Sequence, residues 1–401
     1  MKVLYISGSL GLGHVTRDLA IARELRRLMP DVEIDWLAVH PASLVIEEAG
    51  EKLIPEAAEY ANENDFAEES SRGGGLNILR YLLRARKAWD RNVAVFERVV
   101  GSRHYDLVIG DETYEISLAL RKRRGLKKFP FVMIFDFVGL DTMTRNPLER
   151  LGVYIYNYKW ASGHMKGRKP SFDLGLFVGE PEDIKDEPFG FMLPSRRRFA
   201  EAVYRFVGYI MPFDPADLAD RAAVRRALGY GAEPLVIASI GGTSIGSELL
   251  ELCGKASPLL RERYPSLRMV LVTGPRLAAD SVRAPEGVEV RQFVPKLYEH
   301  FAACDLSIVQ GGATSSLELA ALKIPFIYFP LEGHSEQANV ARMLRRHGVG
   351  VEMKLSRTTP ASLAAEMSRM LDSKTSYPGI SVDGAKKAAE LIARLMNGER
   401  S

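Results

Sequence analysis

Three short stretches combine residue types and spacings that could do chemistry, and each follows an apolar run. The first is Gly11-Leu12-Gly13-His14. Glycines let a ligand approach the backbone closely. N–H groups at a helix start favour an anion or a developing negative charge. His14, at the tip of the turn, suits a general base near neutral pH. The plainer alternative is a histidine that caps the helix. The second stretch is Leu107–Gly110 followed by Asp111-Glu112. A carboxylate there could orient His14 and stabilise its charged form, or cap the segment Tyr114–Arg121. The third is Gln310-Gly311-Gly312-Ala313-Thr314-Ser315-Ser316-Leu317-Glu318. Two glycines and three hydroxyls at a helix start make a phosphate cradle. Glu318, one helical turn past Thr314, could accept from ribose hydroxyls. The alternative is a plain glycine turn capped by serine.

These residues need strands to carry them and helices to start beside them. Lys2–Ser7 reads as a strand, Gly8 to Gly13 as a loop, Val15–Met29 as a helix and Val32–Val39 as the next strand. The order returns at Leu235–Ser239, the loop Gly241-Gly242-Thr243-Ser244-Ile245-Gly246, the helix Glu248–Arg263 and the strand Met269–Thr273. Strands alternating with helices imply parallel sheets. Two restarts predict an α/β protein of two Rossmann-like, doubly wound parallel-sheet domains. The expected division is 1–208, a linker at 209–220, and 221–401, with a last helix at Ser381–Met396 that could pack on either domain. The pattern does not resolve Pro147 to Arg198. The first turn is not the full dinucleotide fingerprint, because the spacing differs and no acidic residue follows Val39.

Composition narrows the class. The chain has 401 residues, 46% hydrophobic and 26% charged, with net charge +3. Such a length predicts roughly two to three domains and excludes neither half from burying a core. Global charge gives no support for nucleic-acid binding. The two cysteines, Cys253 and Cys304, cannot build a disulfide framework or a zinc site, which fits a reducing compartment. The run Val3–Leu12 is read as a buried strand entering a turn rather than as a secretion signal. Apolar stretches reach about a dozen residues, short of the roughly 20 of a membrane span. The expected location is cytoplasmic, or peripheral on the cytoplasmic membrane face.

From Phe293-Val294-Pro295 to Val351 the sequence resembles the donor-binding region of two-domain, GT-B type glycosyltransferases, among them the peptidoglycan N-acetylglucosaminyl transferase and UDP-glycosyltransferase families. The matching residues are Gln310, Gly312, Ser315, Glu318, Lys323-Ile324-Pro325, Pro330, Glu336-Gln337 and Asn339. The start Gly11-x-Gly13-His14-x-x-Arg17 resembles their acceptor side. The resemblance implies two domains facing a cleft and a UDP-sugar donor. Phe293 and Val294 would flank the uracil. Gly242, Thr243, Gln310, Gly311, Gly312, Thr314 and Ser315 would surround the diphosphate. Glu318 would bind ribose, and Glu336 and Gln337 the sugar hydroxyls. Gly11, Gly13 and Arg17 would lie on the acceptor side, with His14 as base and Asp111 as its partner. Many members have histidine where Gln310 stands, and a neutral amide brings no charge to the phosphates.

The chain contains no Asp-x-Asp, the triplet that holds a divalent metal in the other major glycosyltransferase fold. The expectation is an inverting transfer without metal or cofactor. The rival readings are a nucleotide-sugar hydrolase or 2-epimerase on the same plan, and a non-catalytic nucleotide-sugar sensor. Eight basic residues between Arg72 and Arg103, six in Arg121–Lys128, and the aromatics Tyr154–Trp160 could dock an anionic membrane and a lipid-linked acceptor. Their plain alternative is a solvated helix face with core aromatics.

Overall fold

The computed structural model describes residues 1–8, 12–40, 42–61, 78–142, 146–241, 246–332, 335–373 and 377–399. The chain divides into two compact units, Met1–Pro212 with Val382–Ser401, and Phe213–Ser381.

In the first unit six parallel strands stand in the order β2-β1-β3-β4-β5-β6. They are β1 (Lys2–Ile6), β2 (Glu33–Leu37), β3 (Leu107–Asp111), β4 (Phe131–Phe135), β5 (Leu174–Val178) and β6 (Arg205–Gly208). The helices are α1 (Leu12–Leu28), α2 (Ala42–Glu48), α3 (Ile78–Ser102), α4 (Tyr114–Lys122), α5 (Pro147–Met165), α6 (Arg196–Val203) and the last helix of the chain, Gly384–Met396. The side-chain period of two sorts each strand onto two cores. Leu4 and Ile6 join Val108, Met133 and Phe177 on one face. Val3 and Tyr5 join Trp36, Ile109, Val132 and Leu176 on the other.

The last helix, left open by pattern, belongs to this unit. Ala385, Ala388, Ala389 and Ile392, spaced for one helix face, are buried with Val15, Ala22 and Leu25 of α1. The second unit therefore ends at Ser381, not at the end of the 221–401 range. Its start, Phe213, falls inside the expected linker.

The segment that pattern could not resolve holds α5, β5 and α6. Asn146 caps α5 by accepting from Leu148 N at 2.9 Å, and Pro147 takes the first helical position. Its apolar residues lie on two sides, Val153 and Ala161 buried and Leu148, Leu151 and Ile155 exposed. A helix apolar on opposite sides blurs the period that sequence reading needs.

The second unit has the strand order β12-β11-β10-β7-β8-β9, again all parallel. The strands are β7 (Leu235–Ser239), β8 (Arg268–Val272), β9 (Val288–Arg291), β10 (Leu306–Val309), β11 (Phe326–Tyr328) and β12 (Val351–Glu352). The helices are α7 (Arg221–Ala227), α8 (Ser247–Arg263), α9 (Leu297–Ala303), α10 (Ala313–Ala321), α11 (Ser335–His347) and α12 (Pro360–Asp372), which makes the last helix α13. Both sheets reverse their winding next to the first strand of the unit, at β1/β3 and at β7/β10. Open α/β sheets bind ligands outside the carboxyl ends of strands at such a switch point. Strand β1 precedes His14, β3 ends at Asp111, β10 precedes the loop at Gln310, and β7 precedes Gly241.

Candidate active site

In the first unit, His14 lies in the first turn of α1 and Asp111 is the last residue of β3. Strands β1 and β3 pair directly, so the two residues meet across the switch point. His14 Nδ1 is 2.9 Å from Asp111 Oδ2. Arg17 Nη2 stands 2.8 Å from the same nitrogen. A carboxylate oxygen only accepts and a guanidinium only donates, so the tautomer protonated on Nδ1 is the one that bonds Asp111, and in it Nε2 is the acceptor. Gly8 makes room for the pair: a Cβ there would stand 3.3 Å from both His14 Nδ1 and Asp111 O.

Asp111 is fully buried and does not cap α4. The capping position is Thr113, whose side chain makes no cap bond. Asp111 is instead gripped by Arg17, whose Nε donates to Oδ2 at 3.2 Å and Nη2 to Oδ1 at 2.5 Å. Burial alone would raise the Asp111 carboxyl. The Arg17 guanidinium and His14 outweigh it and hold the carboxyl below its ordinary value.

Arg17 also reaches a second carboxylate, donating from Nη1 to Asp136 Oδ2 at 2.8 Å. Asp136 follows β4, and its Oδ2 stands 3.9 Å from His14 Nε2. Glu112 completes the group, with backbone in the left-handed region at φ 53°. Burial, then the neighbouring Asp136, push the Glu112 carboxyl well up. Asp136 is held down by Arg17 and its contact with Glu112 against the effect of its own burial. The two carboxyls are thus pushed in opposite directions, Glu112 up and Asp136 down. Ligand atoms of His14, Glu112 and Asp136 lie within 4.8 Å of one another, a spacing that could hold a metal ion. Arg17 already donates to one of those carboxylates. Sequence reading missed Asp136 and Glu112. Asp136, directly after a buried apolar strand, carried the same signal that marked Asp111.

In the second unit, β10 runs into Gln310, Gly311 and Gly312, and α10 starts at Ala313. Gly311 has φ +82°, and a Cβ there would touch Pro330 at 3.4 Å. Gly312 is the capping residue of α10 and offers no side chain to its first N–H groups, so those donors face outward. Thr314 is exposed and Ser315 half-buried in the same turn. Gln310 is buried, with its amide against Gly246 at the start of α8: a Cβ on Gly246 would lie 3.0 Å from Nε2. Glu318 is buried in α10, and its carboxyl makes no hydrogen bond to the described residues. Burial pushes its carboxyl up to about 8.

Other expected donor residues spread further. Phe293 is exposed and Val294 buried, both just past β9 at the sheet edge. Gln337 is buried and its Oε1 accepts from Leu331 N at 2.7 Å, so that oxygen holds the loop after β11. Gly13, in α1, accepts from Thr16 Oγ1 at 3.0 Å. Gly11, Gly242, Thr243 and the side chain of Glu336 lie outside the described residues.

Residues 236–395 match the model of the glycosyltransferase family 28 C-terminal domain. A UDP-N-acetylglucosamine--N-acetylmuramyl-(pentapeptide) pyrophosphoryl-undecaprenol N-acetylglucosamine transferase from Carboxydothermus hydrogenoformans is 29% identical over 182 residues, 44% of this chain. The chain spans about half the length of the curated relatives it matches, 48% in that case. The enzyme of the same name from a Nocardioides species is 27% identical over 365 residues, 88% of this chain and 85% of that one. Among solved structures, the glycosyltransferase of kitacinnamycin covers 98% of both chains at TM-score 0.62 and 16% identity. That likeness shows the fold, GT-B.

Proposed function

We propose that this GT-B chain is a glycosyltransferase that moves a sugar from a UDP-sugar to an acceptor hydroxyl with inversion. The observation that carries the reading is the 2.9 Å His14 Nδ1–Asp111 contact, and the Nδ1-protonated tautomer that uses it presents Nε2 as the acceptor. The acceptor oxygen loses its proton to Nε2 and bonds to the anomeric carbon. The bond from that carbon to the diphosphate breaks, and UDP departs with the electron pair. Asp111 stabilises the imidazolium. The first-turn N–H groups of α10, with Thr314 and Ser315, stabilise the leaving diphosphate without a metal. Glu318 accepts from ribose hydroxyls, Phe293 and Val294 flank the base, and Glu336 and Gln337 meet the sugar.

The activity for which the two relatives are named supports a lipid-linked acceptor, met at a membrane surface on the cytoplasmic side. No helix among the described residues is long and apolar enough to cross a membrane. A nucleotide-sugar hydrolase is the second reading, favoured by Asp136 at 3.9 Å from Nε2, where it could hold a water. Incubation with a panel of UDP-sugars decides between them. Sugar release that waits for an added acceptor supports the transferase. Fast release without acceptor assigns the hydrolase. Absence of a thermal shift with UDP and all its sugars removes both.

A further inference from the structure

The arginine-rich stretches singled out by sequence are partly committed within the fold, while Arg121, Lys122, Arg124 and Lys128 are exposed. Arg98 pairs with Glu59, Arg103 with Glu56, Arg123 with Glu97 and Lys127 with Asp173. Trp160 is likewise occupied, packing on Tyr114 and Phe137. Arg80, Arg84 and Lys87 have side chains outside the described residues. The face that stands open is a different one.

On α5, Leu148, Leu151, Ile155 and Tyr158 are all exposed, Leu148 to 72%. Their spacing of three, four and three residues puts them in one stripe. The opposite side of the same helix is the buried one, with Val153, Asn157 and Ala161. Beside the stripe a tight turn projects Phe191, 81% exposed, and Met192, 82% exposed. The turn is fixed to α5. Asn157 Nδ2 donates to Phe189 O at 2.9 Å, and Tyr154 Oη donates to Phe191 O at 3.2 Å. Met192 takes the left-handed backbone at φ 58°. Six large side chains are thus exposed on α5 and on a turn bonded to it, which water does not favour.

The charge beside the stripe has one sign. Residues 147–169 contain five Lys or Arg and a single acidic residue. Lys159, Lys166, Arg168 and Lys169 are exposed, and Lys166 Nζ lies 5.9 Å from the Tyr158 ring centre. Of the acids before the turn, Asp141 pairs with Lys185 and Arg196 and Asp186 accepts from the Ser195 hydroxyl, while Glu187 is exposed. Apolar side chains bordered by cations match the layered chemistry of an anionic bilayer, with acyl chains beneath phosphates.

We propose that the exposed face of α5 and the Phe191–Met192 turn dock this protein on an anionic lipid membrane. The inference stands on exposure and charge and does not need the transferase reading. Co-sedimentation of the full chain with phosphatidylglycerol and with phosphatidylcholine vesicles tests it. Binding is expected to the first and to be much weaker for the second. Ile155→Asp with Phe191→Asp is expected to abolish it. Lys159→Glu with Lys166→Glu is expected to weaken it at least about thirtyfold, each lost cation near the surface being worth about fivefold. Arg121→Glu with Arg124→Glu, away from this face, is expected to bind as wild type. Circular dichroism and the melting temperature check that each variant is folded. Should the Asp variant misfold, Ile155→Ser with Phe191→Ser replaces it. No binding of wild type to phosphatidylglycerol overturns the proposal, as does unchanged binding by the folded face variants. A wild-type dimer that the same substitutions split, without vesicle binding, assigns the face to a second copy instead. A UDP thermal shift, read separately, reports on the donor site whatever the vesicles show.

Discussion

Glu318→Gln isolates one buried carboxyl and reads both stability and ligand contact. In the fold this group titrates near about 8, against an ordinary 4.5, because burial disfavours its charge. The folded state therefore keeps a proton that the unfolded chain gives up between those values. A raised folded value means stability fully present below about pH 4.5 and lost as the pH rises through about 8. The gap of about 3.5 pH units, at about 1.4 kcal/mol per unit, sets the total near about 5 kcal/mol. The glutamine variant has no proton to lose. Urea melts at pH 5 and pH 9 should thus show the wild type losing several kcal/mol more than Glu318→Gln over that range. A ribose hydroxyl donating to Glu318 favours the charged carboxylate, so UDP binding at pH 7 should release nearly one proton from the wild type. Calorimetry in buffers of different ionisation enthalpy measures it, and the variant should release almost none. Identical pH slopes in the two proteins would refute the burial argument. Equal proton release would refute the ribose contact while leaving the burial argument intact.

His14→Ala should lower transfer by about 10²–10⁴-fold with UDP affinity nearly unchanged, the expected size of a lost general base; full activity removes His14 from the mechanism. Asp111→Asn should cost about 3–5 kcal/mol, since it leaves Arg17 facing a neutral amide in a buried site. The Asp111 carboxyl is depressed in the fold, so its contribution exists above about pH 4 and fades in acid; the variant's acid limb should be shallower in a pH series of thermal melts. Gly311→Ala should destabilise by about 1–2 kcal/mol because its backbone sits at φ +82°, and UDP affinity should fall with it in calorimetry. Transfer measured with excess EDTA should match the untreated rate, and loss restored by a divalent ion would move His14, Glu112 and Asp136 into a metal site.

Much of the site was legible because it is local. The glycines before His14 and after Gln310, and the hydroxyls at the start of α10, are consecutive in the chain. A strand running into a glycine turn and a helix is written in consecutive residues. The aromatic segment failed because α5 is apolar on two sides, one toward the core and one toward solvent. Asp111 showed as a strand-end carboxylate, yet its capping role could not be excluded without φ and ψ. Asp136 carried the same strand-end signal as Asp111, and only its distance to Arg17 shows that it meets a cation and not water.

By itself the sequence determined most of the elements, their parallel sense and the places where a strand runs through a glycine turn into a helix start. Alternating strand and helix periods and glycine chemistry act within one turn of chain, so they need no partner. Tertiary structure alone decided which distant groups share charge. It brought Arg17 between Asp111 and Asp136, returned the last helix to the first unit, and drew Arg98, Arg103, Arg123 and Lys127 into ion pairs. Coulomb energy and burial depend on distance in space, and the strand order, not the chain order, sets that distance.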